Sequence, residues 1–108
     1  MSSYFLIEQS VRAGKMAELQ EIMRKSWPAL LNFPGNEGVR IFKDPDCSDR
    51  LVLLMRWTNS DDFSKYQTWR NETGTAKLIL DRLDHVSIRP LDHIDLIFPK
   101  EHEYDDKL

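Results

Sequence analysis

Two short segments of this chain are apolar on both faces of a predicted strand, which constrains its fold more than any other feature. Residues 4–11, "YFLIEQSV", alternate Phe5 and Ile7 with Tyr4 and Leu6. The segment "RLVLLMRW" alternates in the same way, with Leu51, Leu53, Met55 and Trp57 on one face and Val52 and Leu54 on the other. Strands that are apolar on both faces are usually buried on both. We therefore expect these two strands to occupy the middle of a sheet.

The remaining segments give the order of helices and strands. Apolar residues recur every three or four positions after residue 15, and Pro28 should kink or end this first helix. Ser60 is a suitable N-cap for a second helix, which Gly74 interrupts, and Pro90 marks a bulge or an edge strand. The predicted elements are strand 4–11, a helix from 15 to about 30, strands 39–43 and 50–57, helix 60–73 resumed over 75–84, and strand 86–98.

This βαββαβ order is that of the ferredoxin-like α+β fold. Four antiparallel strands form one sheet in that fold, and the first and third strands lie at its centre. The chain has enough helix to cover one face of such a sheet. A bare apolar second face would exceed the exposed patches that monomers usually carry. We therefore expect a homodimer that packs sheet against sheet.

Length and charge narrow the class of protein further. The 108 residues correspond to one domain, assigned to residues 1–98 and followed by a charged tail at 99–108. A net charge of -3 provides no basic surface for nucleic acid. No apolar stretch approaches the ~20 residues of a membrane span, and the N-terminus does not read as a signal peptide. The single Cys47 excludes an internal disulfide and favours a reducing cytoplasm.

Three aromatic side chains near the junction of the third strand and the second helix are candidate contacts for a ligand: Trp57, Tyr66 and Trp69. Large aromatic residues commonly fill cores, and this is one interpretation of all three. The alternative is that Tyr66 and Trp69 lie at the margin of the helix face that Phe63 turns to the sheet. They would then form the wall of a pocket for a flat aromatic ligand, while Trp57 and Phe63 mainly hold the sheet to the helix.

Polar side chains alternate with apolar ones along the fourth predicted strand, which places them on one face. They are His85, Ser87, Arg89, His93 and Asp95. One interpretation is the solvated face of an edge strand. The other is the polar lining of a dimer interface or cavity mouth, with His85 or His93 as a proton relay. His93 and Asp95 alone are too few to hold a metal ion, so no metal site is predicted.

Arg56 interrupts the apolar pattern of the third strand, where a buried guanidinium needs a carboxylate partner. Glu8, on the neighbouring central strand, is the natural candidate for that partner. The alternative is that Arg56 stabilises an oxyanion, such as a deprotonated phenol, inside a cavity. Gln9 could donate a hydrogen bond at the same place.

The segment "MRWTNSDDFSKY" resembles the antibiotic biosynthesis monooxygenase (ABM) family. In that family a strand ends in Trp, a polar cap follows, and a helix carries Phe and a further aromatic residue or His three positions on. Here these are Trp57, Phe63 and Tyr66, and the resemblance extends over residues 4–98. It implies a dimeric α+β barrel with a cavity between sheet and helices. Some members oxidise polycyclic phenols with molecular oxygen and no metal or flavin, some degrade haem, and others have no established reaction.

The haem-degrading branch implies an iron-ligating His in the second helix, and the matching position falls at or near Ala76. No His lies between residues 60 and 84, and the Trp that this branch carries in the helix is replaced by Tyr66. Haem degradation by that route is therefore not expected, and no cofactor is predicted.

Two functions are compatible with the sequence. The first is a cofactor-independent monooxygenase that acts on an aromatic or quinol-like small molecule. Its candidate residues are Tyr66 and Trp69 as walls, Arg56 or Gln9 as the polar contact, and His85 or His93 as the proton relay. The second is a non-catalytic dimer that binds a small hydrophobic ligand or serves in stress or regulation. Histidines placed in the cavity favour the first function, and a filled, dry core around Tyr66 favours the second.

Overall fold

A computed structural model describes residues 2–94 and 96 of the chain. Its elements follow the predicted order of strands and helices. They are β1 (Ser3–Val11), α1 (Met16–Leu31), β2 (Asn36–Lys43), β3 (Arg50–Trp57), α2 (Ser60–Thr73), α3 (Thr75–Leu80) and β4 (Leu83–Leu91). Residues 95 and 97–98 of the predicted fourth strand, and the tail at 99–108, lie outside the described residues.

The four strands form one antiparallel sheet in the order β2-β3-β1-β4. This confirms the ferredoxin-like prediction and the central position of the first and third strands. β4 is an edge strand, where Pro90 is tolerated because its missing N–H removes no hydrogen bond from a sheet interior. The register irregularity between β1 and β4 falls at Ser10 and Val11 and not at the proline.

The helix α1 ends at Leu31, close to the predicted end at about residue 30, and Pro28 lies inside it and does not end it. The carbonyl of Pro28 still accepts a hydrogen bond from the N–H of Asn32 at 3.0 Å. The predicted end of the last helix is wrong. The last helix ends at Leu80, and Leu83, which has helical spacing in the sequence, instead begins β4 and is buried there. Among the described residues, no helix is long and apolar enough to cross a membrane.

The start of α2 is fixed by Asn59 and not by the predicted Ser60. The backbone of Asn59 is extended, and its Oδ1 accepts a hydrogen bond from the N–H of Asp62 at 2.9 Å. Asn and Ser are equally good caps, so the sequence alone does not choose between these neighbours. Gly74 ends the helix as predicted, with a φ of 82° that a residue without Cβ adopts freely.

One face of the sheet, the helix-covered face, packs against all three helices and contains the core. Every second side chain of β1 and β3 points into it, and these side chains are buried. Burying one large apolar side chain contributes about 1.5–3 kcal/mol, so most of the apolar stabilisation lies on this face. Its core comprises Phe5, Ile7, Val11, Leu51, Leu53, Met55 and Trp57 from β1 and β3, Leu19, Met23, Leu30, Phe63, Tyr66 and Ile79 from the helices, and Leu83.

The opposite side of the sheet, the open face, carries the alternate side chains. Strand register places on it Tyr4, Leu6, Glu8, Ser10, Arg40, Phe42, Arg50, Val52, Leu54, Arg56, His85, Ser87, Arg89 and Leu91. All of them are half-buried or exposed, and Phe42 is 51% exposed. The expectation that helices cover only one face therefore holds within the described residues.

Gly35, in the loop between α1 and β2, lies against the start of α2. Its carbonyl accepts a hydrogen bond from the N–H of Thr58 at 2.8 Å, and its φ is 92°. A Cβ built at this position would overlap the side chain of Asp62, whose own Cβ would lie 2.6 Å away. Only glycine therefore fits between the loop and the N-terminus of α2.

Candidate functional site

A cavity of about 250 Å³ lies between the helix-covered face and the helices. It opens where Asn71, Leu80 and Ile88 are exposed, at the side of α3 and β4. Most of its wall is apolar: Ile7, Met23, Trp27, Leu30, Leu53, Met55, Ala76, Ile79, Leu83 and Val86. The polar groups of the wall are Gln9, Ser26, Tyr66, Gln67, Arg70 and Asn71. An apolar pocket with a few convergent polar groups is typical of a small-molecule site.

Gln9 is the polar residue that β1 places in this cavity. It alternates with Ile7 and Val11 on the helix-covered face and is only 6% exposed. Its Oε1 is buried and accepts no hydrogen bond from the described residues. A buried acceptor without a donor costs about 1–3 kcal/mol, so this atom favours a ligand that donates a hydrogen bond.

Tyr66 and Arg70 lie one turn apart on α2 and line the cavity together. The Arg70 guanidinium is 5.6 Å from the centre of the Tyr66 ring. Burial raises the pKa of Tyr66, and the nearby positive charge of Arg70 opposes this effect. The phenol of Tyr66 is therefore neutral at physiological pH and acts as a hydrogen-bond donor and not as a base.

Arg70 also has unused hydrogen-bonding capacity. Its Nη1 donates to Oε1 of Gln67 at 3.3 Å, while its Nε is buried without a partner among the described residues. A cationic donor in this position is suited to an acceptor that carries negative charge.

Trp57 and Trp69, two of the predicted ligand contacts, do not line this cavity. Trp57 is fully buried and packs against Phe63, with 5.8 Å between ring centres. Trp69 is half-buried beside Phe33 and Tyr66, at 5.9 and 6.1 Å. Both rings therefore support the wall from behind, and Tyr66 is the member of the predicted trio that faces the cavity.

The strand-four histidines lie on the open face, away from the cavity. His85 belongs to β4 and is exposed. His93 follows the end of the strand, and its ring stacks on Tyr4 with 6.2 Å between centres. Within one chain neither imidazole reaches the cavity, so a proton-relay role remains a prediction that depends on the open face.

The predicted ion pair between Arg56 and Glu8 is wrong. Arg56 points to the open face and donates to Oε1 of Glu37 at 2.9 Å. Glu8 instead pairs with Arg50 and, at 3.5 Å, with Arg89. A hydrogen bond from the Ser2 hydroxyl, together with Arg56, holds the pKa of Glu37 below its usual range. Arg56 is exposed because it lies on the open face next to the edge strand β2, where no further layer of described residues covers it.

Ser26 of α1 and three polar residues of α2 line the cavity but escaped the sequence analysis. The three on α2 are Gln67, Arg70 and Asn71. A signal for them exists in the helical spacing. Arg70 follows Tyr66 by four positions, and Asn71 follows Gln67 by four, so each pair shares a helix face. A tyrosine predicted to face a pocket therefore points to the polar residue one turn later.

A second, larger hollow of about 730 Å³ is an open groove between α1 and β2. Its lining includes Arg24, Trp27, Leu31, Ile41 and Phe42. It contains none of the buried, unpartnered polar atoms found in the described residues. The smaller cavity is therefore the better candidate for a site that recognises a particular ligand.

The described wall of the cavity contains no histidine, the residue that the family resemblance implies as iron ligand for haem degradation. Ala76, at or near the matching position, contributes only a methyl group to the wall. The two described histidines lie on the open face. Within residues 2–94 and 96, no group of three or more His, Cys, Asp or Glu side chains is arranged to hold a metal ion.

The fold and the cavity define a ferredoxin-like α+β domain with an apolar cavity between its sheet and helices. Residues 4–73 match the sequence profile of the family described as antibiotic biosynthesis monooxygenase. The match covers more than half of the chain, so the protein belongs to this family. No curated protein is significantly similar to it in sequence.

Solved structures agree on the fold. SnoaB from Streptomyces nogalater, described as a cofactor-independent oxygenase, superposes with a TM-score of 0.76 at 14% identity, over 89% of this chain and 96% of SnoaB. A conserved protein from Methanosarcina mazei gives 0.77 at 13% identity, over 84% of this chain and 91% of the other. A Mycobacterium tuberculosis protein gives 0.77 at 12% identity, over 89% and 98%. Identities this low establish the fold alone.

Proposed function

We propose that this protein is a cofactor-independent oxygenase that oxidises a small phenol or quinol in the cavity between the sheet and the helices. The observation that carries the proposal is the pairing of an apolar, largely enclosed wall with Gln9 and Arg70, whose Oε1 and Nε have no partner among the described residues. Membership of the monooxygenase family and the shared fold with SnoaB support it.

The reaction needs no external reductant. The phenol loses its proton to water at the cavity mouth, and the phenolate transfers an electron to O₂. The radical pair then joins to form a carbon–oxygen bond, and the resulting peroxide takes up a proton from water at the cavity mouth. Loss of water from this hydroperoxide leaves a quinone. One oxygen atom enters the product and the other leaves as water, while the substrate supplies all the electrons.

The protein contributes position and charge to this reaction. Neutral Tyr66 donates a hydrogen bond to the developing phenolate, and Arg70 lowers its energy through a nearby positive charge. The amide of Gln9 accepts from the phenol before ionisation and, turned over, donates to the phenolate afterwards. The apolar wall excludes bulk water and strengthens these interactions.

We also propose that the active form is a homodimer that buries the open face of each sheet. Tyr4, Leu6, Val52 and Leu54 form an apolar centre on that face, and the helices leave it uncovered. In such a dimer His85, His93 and Arg56 would lie at the interface, where a role for them is to be sought. The exposed, free Cys47 fits a reducing compartment such as the cytoplasm.

Oxygen uptake tests the enzymatic proposal. Purified protein, treated with a chelator, is mixed with naphthols and hydroquinones, and uptake is compared with that of heat-denatured protein. We expect uptake above autoxidation and one ¹⁸O atom from ¹⁸O₂ in the product. Tyr66→Phe should reduce the rate roughly a hundredfold by removing a donor to the phenolate. Lys65→Ala, on the exposed side of the same helix, is the matched control and should keep the wild-type rate.

One observation favours a second candidate function, a binding protein without catalysis. The described wall of the cavity contains no carboxylate and no imidazole that could act as a base. Saturable binding of a phenol without oxygen uptake, in the same assay, would favour this second function over the first.

A further inference from the structure

The charges around the cavity are one-sided. Arg70 is the only ionised side chain in its described wall, which contains no Asp or Glu. Arg70 also forms no ion pair with any described residue, although most of the other arginines pair with a carboxylate. A partly buried guanidinium without a counter-charge favours an anion from outside the chain.

A second polar group sets a different requirement. The Oε1 of Gln9 is a buried acceptor, so it selects a donor, whereas Arg70 selects an acceptor. One ligand satisfies both if it carries a hydroxyl group and a separate anionic group. The apolar and aromatic side chains of the remaining wall suit a flat ring between the two groups.

The size of the cavity limits how many rings it holds. Its volume of about 250 Å³ lies below the ~300–1,000 Å³ typical of pockets for drug-sized molecules. A ligand of one or two fused rings is therefore favoured over one of three or four.

We propose that the ligand of this cavity is a hydroxyaryl carboxylate of one or two rings, whose carboxylate binds Arg70 and whose hydroxyl donates to Gln9. This deepens the proposed function, since it names the substrate class of the same site. It makes Arg70 the residue that determines specificity and Gln9 the residue that recognises the oxidisable hydroxyl.

Calorimetric binding under nitrogen tests the proposal without turnover. The probes are a hydroxynaphthoate, the uncharged hydroxynaphthamide of the same shape, and a three-ring hydroxyanthracene carboxylate. We expect the hydroxynaphthoate to bind roughly tenfold to a hundredfold more tightly than the amide, the range of a hydrogen bond to a charged group. The three-ring acid should bind more weakly than the two-ring acid.

Substitutions at two positions identify the groups responsible. Arg70→Gln should abolish the preference for the carboxylate over the amide, while Arg70→Lys, which retains the charge, should keep part of it. Gln9→Leu should remove the advantage of the hydroxynaphthoate over plain naphthoate, which serves as a further probe. Arg24→Gln is the matched control, because Arg24 lies on the outer groove and, among the described residues, pairs with exposed Glu21. Circular dichroism verifies that each variant is folded.

Two results would overturn the proposal. The first is equal affinity of the wild type for the acid and the amide. The second is a loss of acid binding in Arg24→Gln but not in Arg70→Gln, which would place the anion in the groove between α1 and β2.

Oxygen uptake with the same compounds distinguishes a failure of the proposed ligand class from a failure of the proposed oxygenase. Arg70-dependent binding without uptake supports the ligand class and contradicts the oxygenase. Uptake with neutral quinols, together with equal affinity of the wild type for the acid and the amide, supports the oxygenase and contradicts the ligand class.

Discussion

The two faces of the sheet consist of the same strands but are covered differently. Leu53 and Leu54 are neighbours on β3, yet Leu53 is 3% exposed under the helices while Leu54 is only half-buried on the open face. The chain's own helices cover the helix-covered face, and a cavity lies between these helices and the sheet. The open face has a similar apolar centre that the described residues leave uncovered.

This difference shows that hydrophobic pattern and burial are separate properties. A strand that is apolar on both faces indicates that both faces are buried. It does not indicate which molecule covers each face. The chain's own helices cover one face. We infer that a second copy of the chain covers the open face. Substitutions on the two faces should therefore have different effects.

The largest effect is expected at the centre of the open face. Leu54→Asp places a carboxylate at the proposed dimer interface, where no water would reach it. Burying an unpaired polar group costs about 2–7 kcal/mol, so the free energy of dimerisation should become less favourable by several kcal/mol. Sedimentation equilibrium should change from twice the 12.8 kDa of one chain to a single chain, with the fold retained. A wild-type protein that already sediments as one chain would contradict the dimer.

Truncation of the neighbouring Leu53 and Leu54 should distinguish the two faces, because the loss of stability should depend on protein concentration for only one of them. Leu53→Ala leaves a cavity in the core and should lower the free energy of unfolding by about 2–5 kcal/mol. This loss should be the same at all protein concentrations, whereas the loss for Leu54→Ala should depend on concentration, as it does for contacts between subunits. Urea unfolding at two concentrations measures both. Identical behaviour of the two variants would refute the contrast.

A smaller effect is expected at the start of α2, which belongs to the helix-covered side alone. Asn59→Ala removes the acceptor for the N–H of Asp62 and should cost about 1 kcal/mol in urea unfolding. Ser60→Ala is the control and should cost only a few tenths of that amount. Equal losses would mean that the cap is shared.

The smallest effect concerns Tyr66 at alkaline pH. Because burial raises its pKa, the folded chain keeps the phenolic proton at a pH where the unfolded chain, with an ordinary value of 10.0, has lost it. Unfolding free energy should therefore fall as pH rises above 10.0, by a fraction of the about 1.4 kcal/mol per pH unit of a fully titrating group. Tyr66→Phe should make this fall shallower. Parallel pH profiles for the two proteins would disprove the link.

Periodicity predicted the fold almost completely. The two-sided strands identified the sheet centre, and the polar stretch before Phe63 located the start of α2 within one residue. The errors arose where local signals were equivalent, as with Asn59 and Ser60, or where a helical spacing continued by chance into a strand, as at Leu83.

The site was less accessible to sequence reasoning. Tyr66 and Gln9 are sequence candidates that do line the cavity, but the same reasoning also offers Arg56 and the histidines, because alternation alone does not tell which face of the sheet carries the helices. Arg70 was missed since a charged residue on a helix is usually solvated, and only the fold shows that it borders an enclosed space.

Gly35 has a consequence for the range of sequences that this fold tolerates. Its backbone angle disfavours any side chain, and the space a side chain needs is already occupied by Asp62. In a library randomised position by position, we expect Gly35 to return no functional replacements, whereas Gly14, which faces open space, should accept Asn or Asp at modest cost. Asp62→Ala in the same library should not relax position 35, because the Cβ of residue 62 itself lies 2.6 Å from where a Cβ at position 35 would be.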